Sequence, residues 1–195
     1  MKLYAINIFY KDETPVHKKA SYDLSSFGFF QKSGVKEFMT FTSDLLVQRT
    51  VVGQRISVKE QDYRCHCYVR SDSLSCVIIA DMDYPVRVVF TLMNKVLDQY
   101  CADFPKSGWS KSSGDLSYPP IDTMLSRYQD PKEADPMMRV QNDLDETKIV
   151  LHETIDAVLT RGEKLDNLVA KTDKLSTTSK AFYKEAKGGS CCVIQ

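Results

Sequence analysis

"DAVLTRGEKLDNL", Asp156–Leu168, sets apolar residues at coiled-coil spacing and puts a cation on the same seam. Steps of three and four residues from Met137 reach Val140, Leu144, Thr147, Leu151, Thr154, Val158 and Arg161, then Leu165, Leu168, Thr172, Leu175, Ser179, Phe182, Ala186 and Gly189. Ten of these sixteen positions are apolar and the phase holds over more than seven heptads, which predicts a left-handed coiled coil. Asp135 and Pro136 suit an N-cap and a first helical residue. A helix over 137–187 would be a rod about 75 Å long. A domain of about 130 residues does not cover such a rod unless it bends, so intermolecular pairing is expected.

The seam is imperfect. Thr147, Thr154, Thr172 and Ser179 bury poorly, and Gly162 weakens a helix by about 1 kcal/mol relative to Ala. Ile149, Ile155 and Leu159 widen the apolar strip, which suits a bundle of more than two helices and a segment that folds on its partners. Arg161 carries five donors and a permanent charge, and its unpaired burial would cost several kcal/mol. Amide oxygens from facing helices, one Gln from each of three strands for instance, would satisfy it. Shifted registers would not, so Arg161 reads as a register pin.

Upstream, the composition changes near "YQDPKEADP", Tyr128–Pro136: no proline follows it, and only Phe182 and Tyr183 are aromatic. Before it, "LYAINIFY" and "VHKKASYDL" read as neighbouring strands and "SGVKEFMTFTSDLLVQR" as a helix with Ser33 as candidate N-cap. "RISVKEQ", "YRCHCYVR" and "LSCVIIAD" read as three more strands, and "DYPVRVVFTLMNKVLDQYCADF" as a long helix with Pro85 near its first turn. "KSGWSKSSGDLSYPP" reads as loop and "IDTMLSRY" as a short helix. The order β-β-α-β-β-β-α implies an α+β unit with an antiparallel-rich sheet packed on helices.

Lys+Arg and Asp+Glu are both 26, so no basic field favours nucleic acid. "MKLYAINIFY" lacks the apolar core of a secretory signal, and no apolar run approaches the roughly 20 residues of a membrane helix. The expectation is a cytoplasmic protein with reduced thiols. "CHC", Cys65–Cys67, has no second ligand pair near it in sequence and reads as strand packing rather than a metal site. His17 and His152 read as surface residues. Phosphate-loop, dinucleotide and zinc-protease motifs are missing, which argues against a prenylated GTPase and leaves no enzyme chemistry or cofactor to assign. The chain ends "GGSCCVIQ", where Cys192-Val193-Ile194-Gln195 has the C-a-a-X form and terminal Gln favours farnesyl. Cys191 offers a thiol for palmitoyl. One lipid gives marginal membrane binding and two give stable anchoring.

"DETKIVLH", "RGEKLDNLV" and the terminal Cys-Cys resemble the prenylated longin R-SNAREs of the Ykt-six type, within the synaptobrevin-like family, and "MKLYAINIFY", "SVKEQDYRCHCYVR" and "IADMDYPVRVVFTLMNKVLDQY" resemble their longin domain. The resemblance implies a profilin-like longin domain over 1–128, with a five-stranded antiparallel sheet between helices. A linker over 129–136, an R-SNARE motif over 137–187 and a lipidated tail over 188–195 follow. It implies membrane fusion in Golgi, endosomal, vacuolar and autophagic traffic, including ER–Golgi transport. Arg161 takes the central ionic layer, facing three glutamines of Q-SNAREs in a four-helix bundle. Met137, Val140, Leu144, Leu151, Val158, Leu165, Leu168, Leu175 and Phe182 form the seam. Cys192 is the farnesylated and Cys191 the palmitoylated cysteine. Gln195 departs from the more usual terminal Met. The expected partners are Q-SNAREs, the disassembly and tethering machinery, and membrane lipid through the anchors. A soluble monomer is expected to close by folding 137–195 over the longin domain. Phe41 is the candidate wall of its lipid groove, because Phe38, Met39, Phe41 and Thr42 do not share one core stripe. The competing expectation is a lipidated longin adaptor that binds a regulator or cargo and dimerises through its coil.

Overall fold

The alternation of apolar residues in the N-terminal strands builds a sheet with two buried faces. The computed structural model describes residues 1–111, 116–130 and 149–188. Strands β1 (Leu3–Tyr10), β2 (Val16–Tyr22), β3 (Arg55–Glu60), β4 (Tyr63–Val69) and β5 (Leu74–Asp81) pair antiparallel in the order β2-β1-β5-β4-β3. This is the expected five-stranded sheet. A sixth strand, β6 (Ile149–His152), pairs parallel to β3 at its edge, with Arg55 opposite Ile149 and Val58 opposite His152.

Side chains alternate across the sheet with period two. Ile6, Ile8, Cys76 and Ile78 face one core, whereas Ala5, Phe9, Val77 and Ile79 face the other. Leu3 joins Ile6 on the same face because the β1–β5 register shifts between Leu3 and Ala5. In β4, Cys65 and Cys67 share a core, while His66 is fully buried on the opposite side, edge-on to Phe90 at 5.7 Å. Burial pushes both thiols up to about 12 and pushes His66 down to about 3, so all three are neutral packing groups near pH 7.

Two helices cover one face. α2 (Val86–Asp103) lays Val89, Leu92, Met93 and Val96 on the sheet, all fully buried. Pro85 is its N-cap, extended at φ −64° and ψ 119°. α3 (Pro119–Arg127) opens with Pro119 and Pro120 in its first turn, where a missing N–H costs nothing. The Tyr84 hydroxyl donates to the Tyr128 carbonyl at 2.7 Å and ties the end of α3 to the start of α2.

The other face is covered by α1 (Lys32–Arg49), whose N-cap is Gln31. Ser33 therefore lies inside the helix and does not cap it. Val35, Met39, Thr42 and Leu46 of α1 are buried. The C-terminal segment lies over this layer: β6, a 3-10 turn at Ile155–Ala157, α4 (Leu165–Lys171) and α5 (Thr177–Lys187). In this conformation the segment is no 75 Å rod. Among the described residues its helices are two short pieces, with extended backbone at Thr172 after the first. Among the described residues no helix is long and apolar enough to cross a membrane.

Candidate functional site: a C-terminal segment docked on its own sheet

The segment reaches the sheet by edge pairing and by burial. β6 uses the open edge of β3, leaving Leu151 68% exposed on the outer side. Glu60 Oε2, at the end of β3, accepts the Ile155 N–H at 3.3 Å. Ile155 is fully buried, and burial pushes the Glu60 carboxyl up from its ordinary value. Asp156 Oδ1 accepts the Leu165 N–H at 2.7 Å and so starts α4.

Arg161 and Gly162 occupy the turn between these elements, with Arg161 exposed to solvent. Gly162 has φ +91°, and nothing lies within 4 Å of where a Cβ would stand. Its glycine is required by backbone conformation, not by space. Arg49 of α1 holds the turn from below, donating to Glu163 Oε2 at 2.9 Å and to Thr160 Oγ1 at 2.7 Å.

Leu165, Val169, Leu175 and Tyr183 are each 5% exposed or less, and Val158, Leu168 and Phe182 pack at the margin of the same core. Of these, Val158, Leu165, Leu168, Leu175 and Phe182 are seam residues expected to meet partner helices, and they meet the chain's own domain instead; Val169 and Tyr183 each lie one position off the seam. Met137, Val140 and Leu144 lie outside the described residues, as do Cys191 and Cys192. Phe38 of α1 explains why that helix is apolar on two faces. Its ring stacks on Tyr183 at 5.1 Å and meets Phe182 at 6.1 Å.

The closest approach of α1 and α5 centres on Gly34. A Cβ there would lie 3.1 Å from the Thr178 carbonyl, so a larger residue would push the helices apart. Ser179 is fully buried at this crossing. Its hydroxyl lies 2.9 Å from the Gly34 carbonyl oxygen and 2.5 Å from Glu37 Oε2, and Glu37 also accepts the Ser176 N–H at 3.0 Å. Hydrogen bonding by Ser176, then Ser179, holds the Glu37 carboxyl below the usual value. Ser176 caps α5, its hydroxyl accepting the Ser179 N–H at 3.2 Å. Asp166 ties α4 to α5 by accepting from the Tyr183 hydroxyl at 2.7 Å and from Lys187.

A hollow of about 40 Å³ remains beneath the last turn of α5, lined by Phe38, Thr42, Cys65, Ile155, Phe182 and Ala186. It is one to two waters in size. Phe38, and not Phe41, is its wall. Phe41 is half-buried on the other side of α1 and lines a cleft of about 360 Å³ with Phe9, His17, Lys36 and Lys174. His17 is no simple surface residue: it stacks on Phe9 at 4.5 Å, lies 3.2 Å from Asn7 Oδ1, and burial pushes it down to about 4.

Sequence periodicity found most of the docked residues but missed β6 and the Gly34–Glu37–Ser179 crossing. Adjacent β-branched Ile149 and Val150 were the available signal for the strand. A polar residue on an apolar seam, Ser179, was the signal for the crossing.

Two family models match. Residues 24–125 match the longin, or regulated-SNARE-like, domain, and residues 136–189 match synaptobrevin. Over the full length of both chains, the sequence is 51% identical to the synaptobrevin homolog ykt6 of Schizosaccharomyces pombe. It is 49% identical to the synaptobrevin homolog YKT6 of Yarrowia lipolytica and 48% identical to that of Saccharomyces cerevisiae, again over the whole of each chain.

Proposed function

The chain belongs to the longin-bearing synaptobrevin homologues, and from that premise we propose that the docked arrangement is the self-inhibited resting form of a membrane-fusion SNARE. The protein acts as an R-SNARE with SNARE partners in membrane fusion, and is not an enzyme. One observation carries the inhibited reading: Leu165 and Leu175 of the seam that partner helices need are buried in one core with the chain's own α1 and sheet, and Val158, Leu168 and Phe182 pack at its margin.

In the active form, residues 137–187 leave the sheet, become one helix and join three Q-SNARE helices. Arg161, solvated in the docked form, then meets the three glutamines of the ionic layer and fixes the register. Zippering from Met137 toward the tail draws two bilayers together, and the disassembly machinery afterwards returns the helix for docking. A farnesyl group on Cys192 and a palmitoyl group on Cys191 supply the attachment, with no cofactor required. The protein shuttles between cytoplasm and the cytosolic face of Golgi, endosomal, vacuolar and autophagic membranes. The hollow beside Ala186 is far smaller than a farnesyl chain. Sheltering the lipid there therefore requires Phe182 and the last turn of α5 to move outward.

Phe38→Glu tests the reading, because it places a charge between Tyr183 and Phe182. Hydrogen exchange of 165–187 is expected to accelerate at least about tenfold, since desolvating an unpaired carboxylate costs several kcal/mol. Assembly with Q-SNARE helices should quicken in parallel. Equal assembly rates in the parent and variant chains would rule out inhibition by docking.

A further inference from the structure

The geometry points to a second membrane contact: the loop before α1 is a lipid-touching finger whose tip, Phe29–Phe30, enters the interface of an anionic bilayer. This inference rests on the reading above in one respect, that the tail beyond Gly188 is held at a membrane.

Phe29 is 83% and Phe30 is 88% exposed. Isolated exposed apolar residues are ordinary, but two adjacent rings this bare need a reason. They meet each other edge to face at 5.5 Å. The loop behind them is pinned. Asp23 accepts the Ser25 N–H at 2.9 Å, and Lys2 donates to the Ser25 and Ser26 hydroxyls at 2.8 and 2.6 Å. The Gln31 N–H donates to the Gly28 carbonyl at 2.9 Å. Phe27 turns inward, against Tyr4 at 5.9 Å and Phe182 at 6.2 Å. The next two aromatics are therefore presented outward by an anchored loop.

Two features select a bilayer as the occupant. The first is charge. Lys32 follows the tip on α1, whose first turn has no acid, with Lys36 exposed one turn on, and Lys184 is exposed on the neighbouring α5. Asp23 and Glu37 are engaged inside the fold, Asp23 with Lys2 at 3.5 Å and Glu37 with Ser176 and Ser179, while Glu185 is exposed on α5. An aromatic tip with lysines on the helix that follows it matches a headgroup region with anionic lipid. The second is continuity. Phe27 touches α5, the helix that leads into the tail, and the seven residues after Gly188 extend at most about 25 Å. Lipid on that tail and aromatic rings on this loop therefore act on one surface.

The test uses the full chain carrying Phe30→Trp and a C-terminal hexahistidine tag, tethered to phosphatidylcholine–phosphatidylserine vesicles that contain nickel-chelating and acyl-brominated lipid. The introduced tryptophan is expected to be quenched. The native Trp109, 4% exposed in the parent chain, is expected not to be. In a second arm, Phe29→Ser/Phe30→Ser in the farnesylated chain is expected to lower partition onto the same vesicles about tenfold or more, with an unchanged melting temperature. An unquenched indole at the finger tip, or equal partition, overturns the finger. Shielding of that indole by a protein partner without bromolipid quenching overturns it in favour of a protein interface. The tag replaces the lipid, so failure of farnesyl transfer to Cys192 with the tip indole still quenched removes the tail reading and leaves the finger standing.

Discussion

On one face of the sheet, α2 sets Val89, Leu92, Met93 and Val96 at zero exposure, and a buried Tyr84–Tyr128 bond fastens α3 beside it. On the other face, α1 shares the cover with a segment that buries Ile155, Leu165, Val169, Leu175 and Tyr183 but is also held by half-buried aromatics and by polar pins. Phe38, Phe41, Leu168 and Phe182 are only partly buried there. The pins include Lys174–Asp44 at 2.9 Å and Arg49–Glu163 at 2.9 Å. Bonds of this second kind exchange readily with water and contribute little net stability. On the function proposed above, one cover stays with the fold and the other leaves, and the leaving cover carries seam residues that a SNARE bundle would use.

The largest effect should fall on the permanent face. Leu92→Ala is expected to cost about 2–5 kcal/mol and to lower the melting temperature of the whole chain. Leu175→Ala, also at a buried leucine, should instead accelerate hydrogen exchange in 165–187 while the amides of β1 and β5 keep their protection. If both variants lowered global stability equally, the distinction between the two covers would be broken.

Gly162 sharpens the comparison, because the docked form and the proposed helical form demand opposite things of it. Docked, it sits at φ +91°, where a Cβ costs about 1–2 kcal/mol. In a continuous helix, glycine costs about 1 kcal/mol relative to alanine. Gly162→Ala therefore pushes twice in one direction, about 2–3 kcal/mol toward release, or roughly 30- to 150-fold in the docked-to-open ratio. Energy transfer between dyes on β5 and α5 would read the docked fraction, and melting of the assembled bundle should rise. An unchanged docked fraction would show that the turn relaxes without strain.

This glycine also shows where sequence reading stopped. The strands of the sheet were legible because Ile6/Ile8 and Cys65/Cys67 alternate with period two. The seam was legible because a heptad repeat can be read directly from the sequence. Of the docked state, only a general fold-back was legible. Ile149–His152 fits both a helical and a strand pattern, and the choice is made by the open edge of β3, which is tertiary information. Phe38 and Phe41 looked interchangeable as walls because they lie less than one turn apart, and the placement of α5 decides between them.

The smallest effect concerns pH and separates two carboxylates on the docked face. The ordinary value for both is 4.5. Hydrogen bonding by Ser176 and Ser179 lowers Glu37 in the docked state. Its contribution to docking is therefore fully present above the ordinary value and is lost as pH falls through the lowered one. Glu60 has the opposite sign. Burial raises its docked value, so its charge opposes docking at neutral pH, and the opposition fades as pH falls below the raised value. In the parent chain the two slopes partly cancel, so the docked fraction should change less with pH than it would with the Glu37 slope alone. Glu37→Gln removes only the first slope. The variant should dock less well than the parent at neutral pH, and acid should shift its docked fraction less toward release than it shifts the parent's, as read by the same dye pair; Asp166, lowered by its bonds from Lys187 and Tyr183, keeps a slope of the Glu37 sign in both chains. A pH profile in the variant parallel to the parent's would mean that Glu37 is not a group that ties acidity to release.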